Sequence, residues 1–150
     1  MMRLLAGFVL LLGVAPGAQA AACPNVGLKQ EQITLVTVTG RHSYIVDLAK
    51  TADEQSCGLM YREKMARTSG MIFPFSPPRP TAFWMMNTPL PLDLIFVGPD
   101  DRVVSVGNGK PYSQAIIDSG GVTAAVIELN AGEALRIGLK PGDKALRRKP

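Results

Sequence analysis

The chain has 150 residues, 47% of them apolar but only 6% aromatic, with sixteen Lys and Arg against twelve Asp and Glu. This is too apolar for a disordered segment, and it shows no basic stripe interleaved with aromatics of the kind nucleic-acid binding uses. One histidine and two cysteines make no recognisable zinc-ligand spacing, so no metal and no cofactor is expected.

Residues 1–20 read as a secretory signal peptide. Arg3 supplies the positive end, residues 4–14 form an uninterrupted apolar run, and Pro16 and Gly17 break it. Ala18-Gln19-Ala20 then has the small-x-small pattern of a cleavage site, with Ala22 as the second choice. The apolar run is too short to span a bilayer, and no later stretch is long enough. The expectation is an exported protein, periplasmic or secreted, with no transmembrane span. Cleavage removes Arg3 and leaves fifteen basic against twelve acidic residues, a formal charge of +3. The excess gathers near the end, at Lys140, Lys144, Arg147, Arg148 and Lys149, and reads as a solvated basic tail over about 144–150.

Cys23 has two readings. A cysteine just after small residues resembles a lipoprotein cleavage site, although Ala20 stands where a larger aliphatic is usual. The alternative, a disulfide with Cys57, suits an oxidising compartment and is the preferred one. Residues 21–150 are long enough to bury the core of a single domain.

Along that domain, residues 32–38 and 42–49 alternate as two strands of a hairpin around Thr39-Gly40-Arg41. Thr51 and Glu54 fit a capping box, which gives Glu54 a structural task at the start of a short helix running to about Met60. Residues 69–75 form an apolar strand, and Ser76-Pro77-Pro78-Arg79-Pro80 reads as a stiff linker. The stretch FWMMNTPLPLDLIFV (83–97) holds the only tryptophan. Its alternation predicts two adjacent antiparallel strands, 83–86 and 92–97, hinged on a proline turn opened by Asn87. Residues 102–106 continue the sheet, 107–121 are the loosest region, and 122–129 are the last strand, with Glu128 inside it. Residues 130–137 form one or two helical turns stopped by Gly138. The count of short strands and turns predicts a mainly β domain, a small barrel or sandwich with one or two short helices.

Four segments in this order, GLMYRE (58–63), SGMIF (69–73), FWMMNTPLPLDLIFV and VIELNAG (126–132), resemble DUF family 192 of bacteria and archaea. The resemblance spans nearly the whole mature chain. It implies a small β-rich domain and assigns no chemistry. Arg62, Trp84, Asn87, Thr88, Asp93 and Glu128 fall at the family's polar motif positions. The family usually carries lysine where this chain has Met86, so any neutralisation of Asp93 by that lysine is lost, and Arg62 or Arg79 would have to replace it.

Two function classes follow. One is a monomeric binding module in which Trp84, Asn87, Thr88 and Asp93 converge on a small polar ligand or a partner segment. The other is a hydrolase-like enzyme with Asp93 and Glu128 as acid and base. No complete nucleophilic triad is visible, since His42 lies far from Cys57 and there is no Gly-x-Ser-x-Gly elbow. A Cu(I) site among Met60, Met65, Met71, Met85 and Met86 is a weaker possibility, because methionine is ordinary core filler. Binding is the preferred reading. Glu128 is expected to pair with Arg62 or Arg136.

Overall fold

Alternating apolar residues build the first strands. In β1 (Gln30–Thr37) Ile33 and Leu35 are fully buried, and in β2 (Gly40–Leu48) Tyr44 and Val46 are. The two pair antiparallel from Gln30↔Asp47 to Thr37↔Gly40, closing the expected hairpin. The structure, a computed structural model, describes Cys23 and residues 25–148; the leader expected at 1–20 lies outside them.

Helix α1 (Ala52–Cys57) carries the capping box: the Glu54 N–H donates to Thr51 Oγ1, and the Glu54 carboxylate accepts the Thr51 and Lys50 N–H groups. Those backbone donors, Thr51 first, hold the Glu54 carboxyl below its usual range. The helix stops short of Met60 because Gly58 turns to φ +51°, a left-handed conformation that side chains disfavour.

Five further elements follow the long strand β3 (Ser69–Phe83): β4 (Leu92–Val97), β5 (Val103–Gly109), β6 (Ile117–Asn130), α2 (Glu133–Arg136) and β7 (Lys144–Arg147). The seven strands form one sheet in the order β5-β4-β6-β3-β2-β1-β7. It curls into a half-barrel, and an Arg102↔Lys144 bridge draws its two edges together. The fold is mainly β, as the turn-punctuated sequence predicts.

Four local expectations are corrected. Residues 76–80 are not a linker but the middle of β3. Prolines are tolerated there because the register with β6 slips between Pro74 and Arg79, and hydroxyls take over the bonding. Thr123 Oγ1 donates to the Arg79 carbonyl at 2.9 Å, and the Thr81 N–H donates to Ser119 Oγ at 3.1 Å.

The 83–86/92–97 hairpin does not exist, because β6 lies between β3 and β4. Every residue of β4 is buried, so the strand has to sit centrally with both faces covered. After Phe83 the chain leaves the sheet in a turn at Asn87, φ +57°. The region 107–121 is strand at both ends, since β5 runs to Gly109 and β6 starts at Ile117, and only 110–116 form a loop. Residues 144–147 of the expected tail are strand: β7 pairs with β1, burying Ala145 and joining Arg147 Nε to Glu31 at 2.7 Å.

The sheet buries apolar residues on both faces. One cluster draws on all seven strands and includes Ile33, Tyr44, Ile72, Ile95, Val103, Ile127 and Ala145. The other, on the opposite face of β3, β4 and β6, includes Met71, Phe73, Leu94, Phe96 and Val126, with Leu59, Met85 and Leu90 from the loops packed over it.

Candidate functional site

A cleft of about 440 Å³ opens on this second face, between α1, the second half of β3 and the turn after it. That volume falls in the range of small-ligand sites. Strand alternation supplies its apolar wall. Phe73, Phe75 and Phe83 all line it, and Phe83 meets Phe73 edge-on at 5.1 Å and Phe96 at 6.1 Å. Gly58, in van der Waals range of the Phe73 ring, supplies the φ of +51° by which the turn carrying Cys57, Leu59 and Met60 lies against this wall. Trp84, 44% exposed, stands at the rim. The Arg79 guanidinium also lines the cleft and stacks over Phe75 at 4.6 Å.

Glu128 is the one carboxyl in that lining. Its side chain shares a face with its cross-strand neighbours Met71 and Leu94, both fully buried. Gly70 makes this close pairing possible, because a Cβ there would sit within 2.3 Å of the Glu128 carbonyl oxygen. Only 4% of Glu128 is exposed, and among the described residues no group hydrogen-bonds or ion-pairs its carboxyl. Burial alone pushes its pKa up to about 8, so the acid is mostly neutral at pH 7.

Of the six expected site residues, Trp84, Thr88 and Glu128 line this cleft. Asn87 sits beside it: its carbonyl accepts the Tyr61 N–H at 2.8 Å, and its amide lies 3.9 Å from Met60 Sδ. Arg62 is elsewhere, held by Asp47 at 2.8 Å.

Asp93 is on the other face of the sheet. It points the same way as Ile95 and Val97, and its Oδ2 accepts the Ala134 N–H at 2.8 Å in the first turn of α2. It therefore does not organise a pocket with Trp84, and its donor comes from α2, so its placement needs no lysine at position 86. The acid–base pair is corrected for the same reason: two carboxyls on opposite faces of a sheet cannot act on one bond. A one-residue shift in strand position reverses the face, and Leu94, not Asp93, is the neighbour of Glu128.

The expected ion pairs of Glu128 are absent too. Arg136 is bound to Glu133, with Nε–Oε1 at 3.0 Å and Nη2–Oε2 at 2.7 Å. The buried Tyr44 hydroxyl donates to Glu133 Oε2 at 2.9 Å. Arg136 above all, then Tyr44, hold the Glu133 carboxyl below the usual range, while burial and Glu133 push Tyr44 up to about 12.

The methionines are mainly packing residues: Met71 and Met85 are core, and Met65 lies against them. No group of three His, Cys, Asp or Glu among the described residues could hold a metal. Cys23 is bonded to Cys57, their Cα atoms 5.5 Å apart, and Cys57 is part of the cleft wall.

The aromatic wall and Arg79 escaped the sequence reading. The sequence reading divides Phe73, Phe75 and Arg79 between a strand and a linker, whereas one continuous β3 with two register shifts carries them all to the cleft.

Comparison with known proteins agrees with this architecture. The family model DUF192, described as "Uncharacterized ACR", matches residues 34–146. The chain belongs to that family. A protein of unknown function from Novosphingobium aromaticivorans DSM 12444 is 43% identical, with a TM-score of 0.79, over 89% of this chain and 99% of its own. A protein from Sinorhizobium meliloti 1021, proposed as a transcription regulator, is 42% identical, with a TM-score of 0.78, over 81% of this chain and 96% of its own. Comparison with functionally curated proteins finds no match. Among the described residues no helix is long and apolar enough to cross a membrane.

Proposed function

We propose that this member of DUF192 is an exported binding module whose ligand enters the cleft between Trp84 and Glu128. The observation that carries the reading is Glu128: a carboxyl 4% exposed, with no hydrogen-bond or ion-pair partner among the described residues, lining a cleft of about 440 Å³. Burying such a group is costly unless something bonds it, and perturbed acids in clefts cluster at functional sites. The Cys23–Cys57 bond supports export, since stable disulfides belong to oxidising compartments. It occupies the sulfur that lipid attachment at Cys23 would need, and mass spectrometry of the mature N-terminus distinguishes the two.

A nucleic-acid role, prompted by the name given to the S. meliloti relative, has less support here. Both helices are short for groove reading, at six and four residues, and Arg62, Arg136 and Arg147 are held by carboxylates.

The test is a ligand-observed NMR screen of small organic molecules against the wild type, Trp84→Ala and Glu128→Gln, with thermal melts in parallel. Compounds that bind the wild type and are lost in folded variants are the expected result. Equal binding to all three proteins would place the ligand elsewhere.

A further inference from the structure

We propose that the cleft receives a primary ammonium group carried on an apolar or aromatic body, the ammonium bonding Glu128 and the body lying along Phe73, Phe83 and Trp84. This rests on the binding reading above and names its ligand class.

Glu128 lacks any donor, and an ammonium brings three in a compact group. Phe73, Phe83 and Trp84 line the same cleft as Glu128, and aromatic rings attract cations electrostatically at their faces. A carboxylate ligand would meet an unpaired acid among phenylalanines. A neutral alcohol can exchange hydrogen bonds with the neutral acid but brings no charge attraction, which makes it the weaker reference ligand. An ammonium instead forms charge-assisted hydrogen bonds with the ionised Glu128 carboxylate and cation–π contacts with the aromatic surface.

The one charged side chain sharing the lining with Glu128 is Arg79; α1 and the turn at 84–88 contribute none. Arg79 pairs with Thr123, five residues along β6 from Glu128. At the rise of a strand that separates the two backbones by roughly 16 Å, so Arg79 stays at the mouth and leaves the Glu128 end to the ligand.

Binding also moves a proton. The ammonium enters already charged, the neutral Glu128 carboxyl gives its proton to the buffer, and the product is an ammonium–carboxylate pair.

The probes are phenethylamine, 2-phenylethanol and 3-phenylpropionate, which share one aromatic body and differ in charge. Calorimetry at pH 7 in two buffers of different ionisation heat, with Trp84 fluorescence, reads affinity and proton release. The account expects phenethylamine to bind at least about tenfold tighter than the alcohol, with close to one proton released per site. Glu128→Gln should abolish that preference and the proton release. Should that variant not fold, the wild type alone decides: amine affinity should rise from pH 6 to pH 8 while alcohol affinity stays flat.

Equal binding of amine and alcohol, absence of proton release, or preference for the propionate would overturn the ammonium assignment. Saturation by the alcohol or the acid at Trp84 at concentrations no higher than the amine needs would do so while leaving the binding module intact. No saturation by any of the three also rejects the ammonium class, and the NMR screen then decides separately whether the cleft binds at all.

Discussion

Two glutamates five positions apart, Glu133 and Glu128, are each 4% exposed, yet the protein treats them in opposite ways. At the α2 end, Glu133 receives the Tyr44 hydroxyl and a two-pronged Arg136, and its carboxyl stays charged. Asp93 nearby accepts a helix N–H. In the cleft, Glu128 receives nothing, and burial keeps it protonated toward pH 8. Equal exposure thus hides opposite chemistry. A satisfied carboxylate belongs to the fold, whereas an unsatisfied one beside open space is the feature on which the proposed binding role rests.

The contrast can be broken from either side. The largest effect is expected from Cys57→Ser, which removes a link closing a separation of 34 residues and should cost about 3–4 kcal/mol by the chain-entropy model. Urea denaturation measures the loss, and hydrogen exchange should quicken around α1 while the Tyr44–Glu133 end keeps its protection.

Next, Glu133→Gln should cost about 2 kcal/mol at pH 7, because Arg136 loses its charged partner and the Tyr44 hydroxyl a strong acceptor. Arg136 is 44% exposed, so solvent screening limits the figure. The Glu133 carboxyl is lowered in the fold, so its stabilisation is present above the ordinary carboxyl range and is lost as pH falls through its folded value. The variant's deficit should therefore shrink in acid.

Glu128→Gln should have the opposite sign. Its acid rises from 4.5 to about 8 on folding, so wild-type stability falls as pH climbs through that window. The variant should be close to wild type near pH 4.5 and gain steadily on it as pH rises toward 8, read from urea melts across pH. The smallest effect is Asp93→Ala, about 1 kcal/mol from a lost helix-start bond, with cleft binding unchanged.

Much of the fold was legible because local rules governed it. The β1–β2 alternation, the Thr51–Glu54 box and the stop at Gly138 needed no long-range information. The strand order did. Residues 83–86 and 92–97 have hairpin-like patterns, but β6 is buried on both faces over residues 125–129 and takes the place between β3 and β4. Proline content likewise masked β3, since a bulge and three hydroxyls make up for the missing donors. At the site, Trp84, Thr88 and Glu128 were legible as unusual polar or aromatic residues at strand ends. The face on which Asp93 lies was misjudged once its pairing partner was, because a sheet reads in steps of two.

The central claim is that Glu128 is a buried acid without a partner, and carboxyl-carbon NMR titration tests it most directly. In one sample of the oxidised mature protein, the Glu128 and Glu133 side-chain carbons are followed from pH 3 to pH 9. The account predicts a Glu128 midpoint near 8 and a Glu133 midpoint below the ordinary 4.5. A Glu128 midpoint near 4.5 would contradict it, because a group that ionises so readily is already solvated or paired.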